Sequence, residues 1–400
     1  MANVEQTAGP SPLAVCVAGA LSMALAMGIG RFAFTPMLPL MIRDAQIDVA
    51  GGGWLAAANY LGYLLGAMTA SRIRLDAARL SLLALLLTAA LTGAMALPGP
   101  AWLWMALRLL AGVCSAWAFI GTSIWGLAAL AQLRRPTWGA GIYVGVGAGM
   151  AIAGLLCLAG GALGTTASAL WLQLGLLALV LALPVGAVLR RIDPEAVPRE
   201  RGAAAATPLP RGATGLVLSY AAFGFGYILP ATFLPVMARS VVDDPKLFGL
   251  AWPVFGAMAV LSNLGAGWCM RHASRLQVWA GAQLLMGIGV VLPSLWLNGW
   301  TIALAALLVG GTFMAVTMTA MQESRARSPQ NPTAFVSRMT VGFAVGQIAG
   351  PVCSSLLLYL PWARAQGLNI ALQAAAAGLV ASAAWLWREH QKNSHLAAAV

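Results

Sequence analysis

Apolar residues in this chain come in long unbroken runs, without the period of two or 3.6 that marks a strand or helix with one face in water. Twelve such runs fall near 13–41, 52–71, 78–97, 101–131, 138–163, 167–190, 213–238, 247–270, 275–296, 300–324, 333–359 and 365–388. Each approaches or exceeds the roughly 20 residues that a helix needs to cross a hydrocarbon core. They predict twelve membrane-spanning helices, α1 to α12, in chain order. The longest polar interval, roughly Arg190 to Gly212, is too short for a separate soluble domain, so the function is expected within the membrane.

Composition agrees, with 60% hydrophobic residues, 8% charged and a mean hydropathy of +0.82, which fits no soluble class. The residues before Leu13 include Glu5 and no Lys or Arg, and the run that follows is too long for the core of a signal peptide, so α1 is expected to be retained. Loops alternate in charge. Those after α2, α4, α6, α8 and α10, with the tail, hold sixteen Arg and Lys, against four (Arg43, Arg239, Lys246 and Arg364) in the opposite set. The positive-inside bias then places both termini in the cytoplasm of a bacterial inner membrane. A net charge of +12 is thereby explained without nucleic acid, for which there is no basic stripe or motif. Five cysteines, all inside apolar runs, show no metal-ligand spacing and read as small core residues.

Three basic residues stay outside the loops. Arg338 lies about a turn inside the end of α11 and can snorkel, whereas Arg31 and Arg108 lie deep in α1 and α4. An Arg at a helix centre costs about 2.5–3.5 kcal/mol on insertion scales. At 1.5 Å per residue, Arg31 is about 15 Å from the end of α1 near Met41, and Arg108 about 10 Å from the start of α4, which puts them at similar depth. Three readings are open: snorkelling, a structural role, and an anion site. The structural role has a mechanism, because Pro36 and Pro39 remove the donors that would serve the carbonyls of Phe32 and Thr35. The anion site has one too, since a planar guanidinium matches two carboxylate oxygens.

The chain also repeats itself. GIGRFAFTPMLPLM at 28–41 aligns without a gap to GFGYILPATFLPVM at 224–237. RLLAG at 108–112 aligns with ALLVG at 306–310, and the α5 row Gly141, Gly145, Gly149 is answered in α11 by Gly342, Gly346, Gly350. Three helix pairs recur in one order, offset by about two hundred residues. An even number of helices per copy gives both copies the same orientation, and the Pro- and charge-rich stretch between them reads as a linker. The expected architecture is an all-α polytopic membrane protein with a six-helix bundle at 1–190, a cytoplasmic linker at 191–212 and a second bundle with a short tail at 213–400.

With these motifs the chain resembles the major facilitator superfamily over nearly its whole length. GIGRFAFTPMLPLM looks like the YbfB/YjiJ-like branch, transporters largely without assigned substrates. RLLAGVCSA at 108–116 is similar to the superfamily's Arg-Gly motif in helix 4, and GFAVGQIAGP at 342–351 to the Gly-rich phrase many members carry in helix 5, here moved to α11. The loop 2–3 signature departs from the pattern: GAMTASRIRLD, 66–76, keeps Arg72 and Arg74 without the usual Asp, and Asp76 stands nearby as a substitute. The resemblance implies that α1 and α4 both line a central cavity, and that transport runs by alternating access.

Other polar groups deep in the candidate cavity helices are Asn59, Tyr227 at the repeat position of Arg31, Asn263 and Gln347; each can equally be an interhelical hydrogen bond. Trp117, Phe119, Trp125, Trp252 and Phe255 read as an aromatic wall or as packing. The glycine rows of α5 and α11 let backbones approach closely, and their matched places suggest surfaces that slide as access alternates, with Pro36 and Pro39 at the α1 kink. No acidic residue lies deep in a span; Glu323, near one end of α10, comes closest. Ion-coupled carriers commonly use a buried carboxylate, so the expectation is an anion uniporter or exchanger, or a carrier whose proton rides on the solute or on Glu323.

No H-E-x-x-H and no intramembrane acid pair is present, which argues against an enzyme. Gly28-x-Gly30-x-x-Ala33 imitates a dinucleotide fingerprint but follows no strand, so no cofactor is expected. The site reading is a small organic anion bound by Arg31 and Arg108, with Asn59, Tyr227 and Gln347 shaping the pocket, in a monomer whose partners are the solute and the bilayer. The alternative of the same fold is an efflux carrier for drugs or amphiphiles. A channel lacks a charge ring, and a receptor lacks a signalling domain.

Overall fold

The computed structural model describes residues 9–135, 138–192, 212–241, 249–328, 332–361 and 366–398. Twelve helices in these residues answer the twelve apolar runs: α1 Pro12–Arg43, α2 Val49–Thr69, α3 Ala77–Ala94, α4 Ala101–Gln132, α5 Gly139–Ala162, α6 Ala167–Leu189, α7 Ala213–Arg239, α8 Ala251–Cys269, α9 Arg275–Leu295, α10 Gly299–Arg327, α11 Pro332–Tyr359 and α12 Gly367–Ala398. No strand occurs among them. Their starts are set by side chains that accept from the first free amides: Ser11, Asp48 and Thr166 cap α1, α2 and α6, while Ser274 with Gln277 and Asn298 with Thr301 form capping boxes on α9 and α10. Asp76 spends its carboxylate in this way, accepting from the Arg79 amide at 2.8 Å and pairing with the Arg79 guanidinium at 3.1 Å. It is the cap of α3.

Ten of the twelve helices are long and apolar enough to cross a membrane. The other two, α2 and α8, are diluted by Gly, Asn, Trp and Tyr; Gly62 and Gly66 of α2 let it close on α4, while Gly53 of α2 and Gly256 of α8 lie against α11 and α5 of the opposite group. At the chain's end α12 continues to Ala398, past the apolar run that predicted an end near 388, because a helix that has left the membrane no longer needs apolar residues.

The helices α1–α6 pack chiefly on one another, as do α7–α12, and the two groups meet where α5 lies on α8, α2 on α11 and α1 on α7. Most of the expected linker, 193–211, lies outside the described residues. Burial follows from this arrangement: 67% of the α1 span and 78% of the α7 span are buried, against 39% for α3 and α6. An even number of spans brings Pro12 and Ala398 to one side, the terminal side; the α1–α2 turn marks the distal side.

Glycines decide how closely the helices approach. A Cβ on Gly141 would lie 2.7 Å from the Cys16 sulfur, and on Gly145 or Gly149 it would overlap the carbonyl oxygens of Ala20 and Ala24. The α11 row faces α7 in the same manner: a Cβ on Gly342 would come 3.1 Å from the Val217 carbonyl oxygen, on Gly350 3.3 Å from that of Phe225, and on Gly346 into that of Ala221. Both rows, read from sequence as sliding surfaces, therefore face helices of their own group. Contact between the groups falls to other glycines: a Cβ on Gly147 would lie 2.6 Å from the Gly256 carbonyl oxygen, and on Gly154 2.7 Å from the Pro253 ring.

Candidate functional site

The site begins with an irregularity in α1. Residues Ala24–Ile29 form a π-helical turn, with Gly30 N–H donating to the Leu25 carbonyl at 2.8 Å and Phe32 N–H to that of Met27 at 2.9 Å. Widened turns of this kind leave neighbouring carbonyls without their usual donors. In a membrane each such carbonyl costs several kcal/mol unless the protein supplies a partner.

The partners come from α4. Ser115 Oγ donates to the Ala26 carbonyl at 2.8 Å, and Arg108 donates through its two terminal nitrogens to Gly30 at 3.0 Å and Arg31 at 2.9 Å. Its guanidinium carbon lies 5.0 Å from the Phe34 ring centroid. Asn59 ties α2 to the same α4 segment, its Nδ2 donating to the Arg108 carbonyl at 2.9 Å. Pro36 frees the Phe32 carbonyl as expected, but that oxygen is taken by the Thr35 amide at 3.1 Å. The carbonyls in need lie one and two residues earlier, and Arg108 serves both.

Arg31 is placed differently. Its side chain, 2% exposed, leaves α1 toward the second group of helices, where a terminal nitrogen donates to Gln347 Oε1 on α11. Gln347 Nε2 in turn donates to the Tyr227 hydroxyl on α7. Arg31, Gln347 and Tyr227 thus form one hydrogen-bonded chain across the boundary between the groups. The guanidinium carbon lies 4.0 Å from the Tyr63 ring centroid, 5.1 Å from Tyr60 and 5.4 Å from Phe32, distances at which the ring quadrupole attracts a cation. Its Nε has no hydrogen-bond partner, and among the described residues no carboxylate pairs with it.

Aromatic rings continue from this point. Phe32 lies 6.4 Å from Trp252 and 6.3 Å from Phe313; Phe313 lies 4.7 Å from Tyr227; and Tyr227 stacks on Phe223 at 5.1 Å and Phe343 at 5.7 Å. Of the wall read from sequence, Trp252 and Phe255 belong here, stacked at 4.9 Å. Trp117 instead donates to Thr69 at 3.0 Å, and Phe119 packs on Tyr143. Tyr60, Tyr63, Phe32, Phe313, Phe223 and Phe343 were not singled out in the sequence. A signal existed: Tyr60 with Tyr63, and Tyr220 with Phe223 and Tyr227, recur at three- and four-residue steps, which aligns them on one helix face.

On the distal side of Arg31 the two groups are joined by further bonds. Thr35 Oγ1 donates to the Ala231 carbonyl, the Tyr60 and Thr232 hydroxyls are 3.3 Å apart, Ser355 Oγ donates to the Ala50 carbonyl at 3.1 Å, and Arg239 donates to the Pro39 carbonyl at 2.6 Å. Glu323 is remote from this, at the terminal end of α10. Its oxygens receive Arg275 and Arg327, each at 2.8 Å, and Arg327 also reaches Glu389 on α12 at 2.9 Å.

Twelve helices in two packed groups, meeting around a buried cation and a run of aromatic rings, have the architecture of the major facilitator type, and the family match identifies the class as membrane transporters. The sequence matches the family described as "Uncharacterised MFS-type transporter YbfB" over residues 23–386, and the chain belongs to that family. No curated protein matches it. Among solved structures it is similar to a bacterial homolog of the human lysosomal transporter Spinster in an inward-facing, unoccupied conformation, with a TM-score of 0.69 and 16% identity over 95% of this chain and 97% of that one. A mutant of the nucleoside transporter NupG gives a TM-score of 0.71 and 12% identity over 94% of this chain and 99% of that one.

Proposed function

We propose that this transporter moves a small organic anion by alternating access between the units 1–190 and 213–400, and that Arg31 receives the anionic group. The observation that carries the reading is a buried guanidinium that faces π clouds and a neutral amide where the units meet, with no described carboxylate to balance it. A buried ion is costly unless compensated, and a carboxylate or phosphate on the solute supplies the missing charge with the bidentate geometry a guanidinium favours. Gln347 and Tyr227 position Arg31 from the second unit, so an arriving anion that takes over the guanidinium loosens a bond across the moving boundary. Arg108 and Asn59 form the scaffold beneath.

Purified protein screened by thermal shift against small carboxylates, phosphates, sugars, amines and amphipathic drugs is expected to be stabilised by one anion class, since a ligand that binds only the folded state raises its stability by about 2.7 kcal/mol at a hundred times Kd. Arg31→Ala is expected to abolish that shift. Stabilisation by neutral or cationic compounds alone, unchanged in the variant, would overturn the anionic reading. It would favour the efflux of drugs or amphiphiles, for which the aromatic run from Trp252 to Phe343 is the supporting observation.

Glu323, already engaged by two guanidinia, serves better as a brace among α9, α10 and α12 than as a proton carrier. We take the chain to be a monomer in a bacterial inner membrane with the terminal side in the cytoplasm, a reading supported by the sixteen-to-four distribution of loop Arg and Lys.

A further inference from the structure

A cavity of about 280 Å³ opens at the distal side between α1, α5, α7 and α8, lined among others by Pro39, Arg43, Cys157, Arg239 and Trp252. Both units contribute to its wall. The alignment of 28–41 with 224–237 extends two residues further to place Arg43 opposite Arg239, and one more to set Asp44 opposite Ser240. That last difference decides what each Arg does. Arg43 turns to its own unit, donating through Nε to Asp44 at 2.7 Å and through a terminal nitrogen to the Thr165 carbonyl at 2.7 Å. The second oxygen of Asp44 accepts from the Ala167 amide at 2.7 Å, and its charge also feels Arg239 across the cavity mouth. Arg239 has a serine where Arg43 has a carboxylate, and reaches across the boundary to the Pro39 carbonyl at 2.6 Å.

Trp252 is fully buried, and its indole N–H makes no hydrogen bond. The Trp252 ring packs 6.4 Å from Phe32, whose own ring lies 5.4 Å from the Arg31 guanidinium. Trp252 and Phe32 thus link the cavity wall to the surroundings of the central cation.

We propose that this cavity is a second anion site, where a small organic solute places its carboxylate or phosphate against Arg239, whose described contact is a neutral carbonyl, while Arg43 is already paired with Asp44. The proposal rests on the anionic reading of the central site. An anion held there competes with the Pro39 carbonyl for the Arg239 donors, and so weakens one of the bonds that join the units on the distal side.

Cys157 in the cavity wall provides the test. A variant keeping Cys157 alone, with Cys16, Cys114, Cys269 and Cys353 changed to Ser, is reacted in detergent with anionic 2-sulfonatoethyl and cationic trimethylammonioethyl methanethiosulfonate, each rate being normalised to that of a free thiol. The anionic reagent is expected to be favoured about tenfold. Arg239→Gln is expected to remove most of that preference and Arg239→Lys to keep it. Equal normalised rates, a preference unaffected by Arg239→Gln, or no reaction with either reagent would overturn the proposal. The central site is read separately, by the anion-induced thermal shift that Arg31→Ala abolishes, so failure of one site is distinguishable from failure of the other.

Discussion

Two arginines of the same type and depth do opposite work, and the difference lies in what each donates to. Arg108 fills the donor vacancies where α1 is interrupted between its π turn and Phe34, so replacing it leaves two buried carbonyls unpaired, at about 1–3 kcal/mol for each group. Arg108→Leu is expected to lower the melting temperature sharply with or without ligand, whereas Arg31→Ala keeps most of the fold and loses the response to anions; thermal unfolding of both variants, with and without the anion, separates them. The rings beside Arg31 act on the same residue scale. Tyr63→Leu removes the closest π face, a contact worth about 2 kcal/mol when desolvated, and is expected to weaken anion binding several-fold, while Tyr63→Phe keeps it. Titration of the two variants with the anion found in the screen checks this, and equal affinities would remove Tyr63 from the site.

At the scale of the helices, the glycines separate into those that permit contact and those that do not. Gly145 meets the Ala20 carbonyl so closely that an added methyl forces the α1 and α5 backbones apart. Gly267 in α8 has nothing within 4 Å of its would-be Cβ. Gly145→Ala is therefore expected to destabilise the protein by several degrees, and Gly267→Ala to be neutral or stabilising by up to about 1 kcal/mol, since Ala outranks Gly in a helix. A thermal melt of each variant decides it. The four-residue spacing was visible in the sequence because it is a local property of one helix. Which helix fills the groove depends on packing, and so the rows read as sliding surfaces turned out to face α1 and α7 of their own groups.

For the whole molecule, we propose that transport runs without a proton carried by the protein, a reading supported by the lack of a deep carboxylate among the described residues and by the engagement of Glu323 by Arg275 and Arg327. Uptake of the identified anion into proteoliposomes is expected to be unchanged when a protonophore collapses the proton gradient. Uptake that stops would restore a proton riding on the solute or on Glu323. Glu323→Gln is expected to act on stability instead, by loosening α9, α10 and α12 at the terminal side, and a fall in melting temperature with retained anion response is the outcome to look for.

Helix count and order were legible in the sequence itself, because a hydrocarbon core demands long apolar runs and twelve runs are present, ten of them meeting that demand in full and α2 and α8 falling short of it. The candidate cations were determined in the same way, since a charge inside such a run stands out against its neighbours. The duplication was legible for a similar reason: aligned glycines and prolines need no knowledge of contacts. Tertiary structure decided everything that depends on partners. Only the folded chain shows that the carbonyls served from α4 belong to Gly30 and Arg31, because the break in α1 after its π turn, and the partner that meets it, are not written in local sequence. Only packing brings Gln347 to Arg31 across more than three hundred residues, and makes Arg239 reach over the boundary that its counterpart Arg43 does not cross.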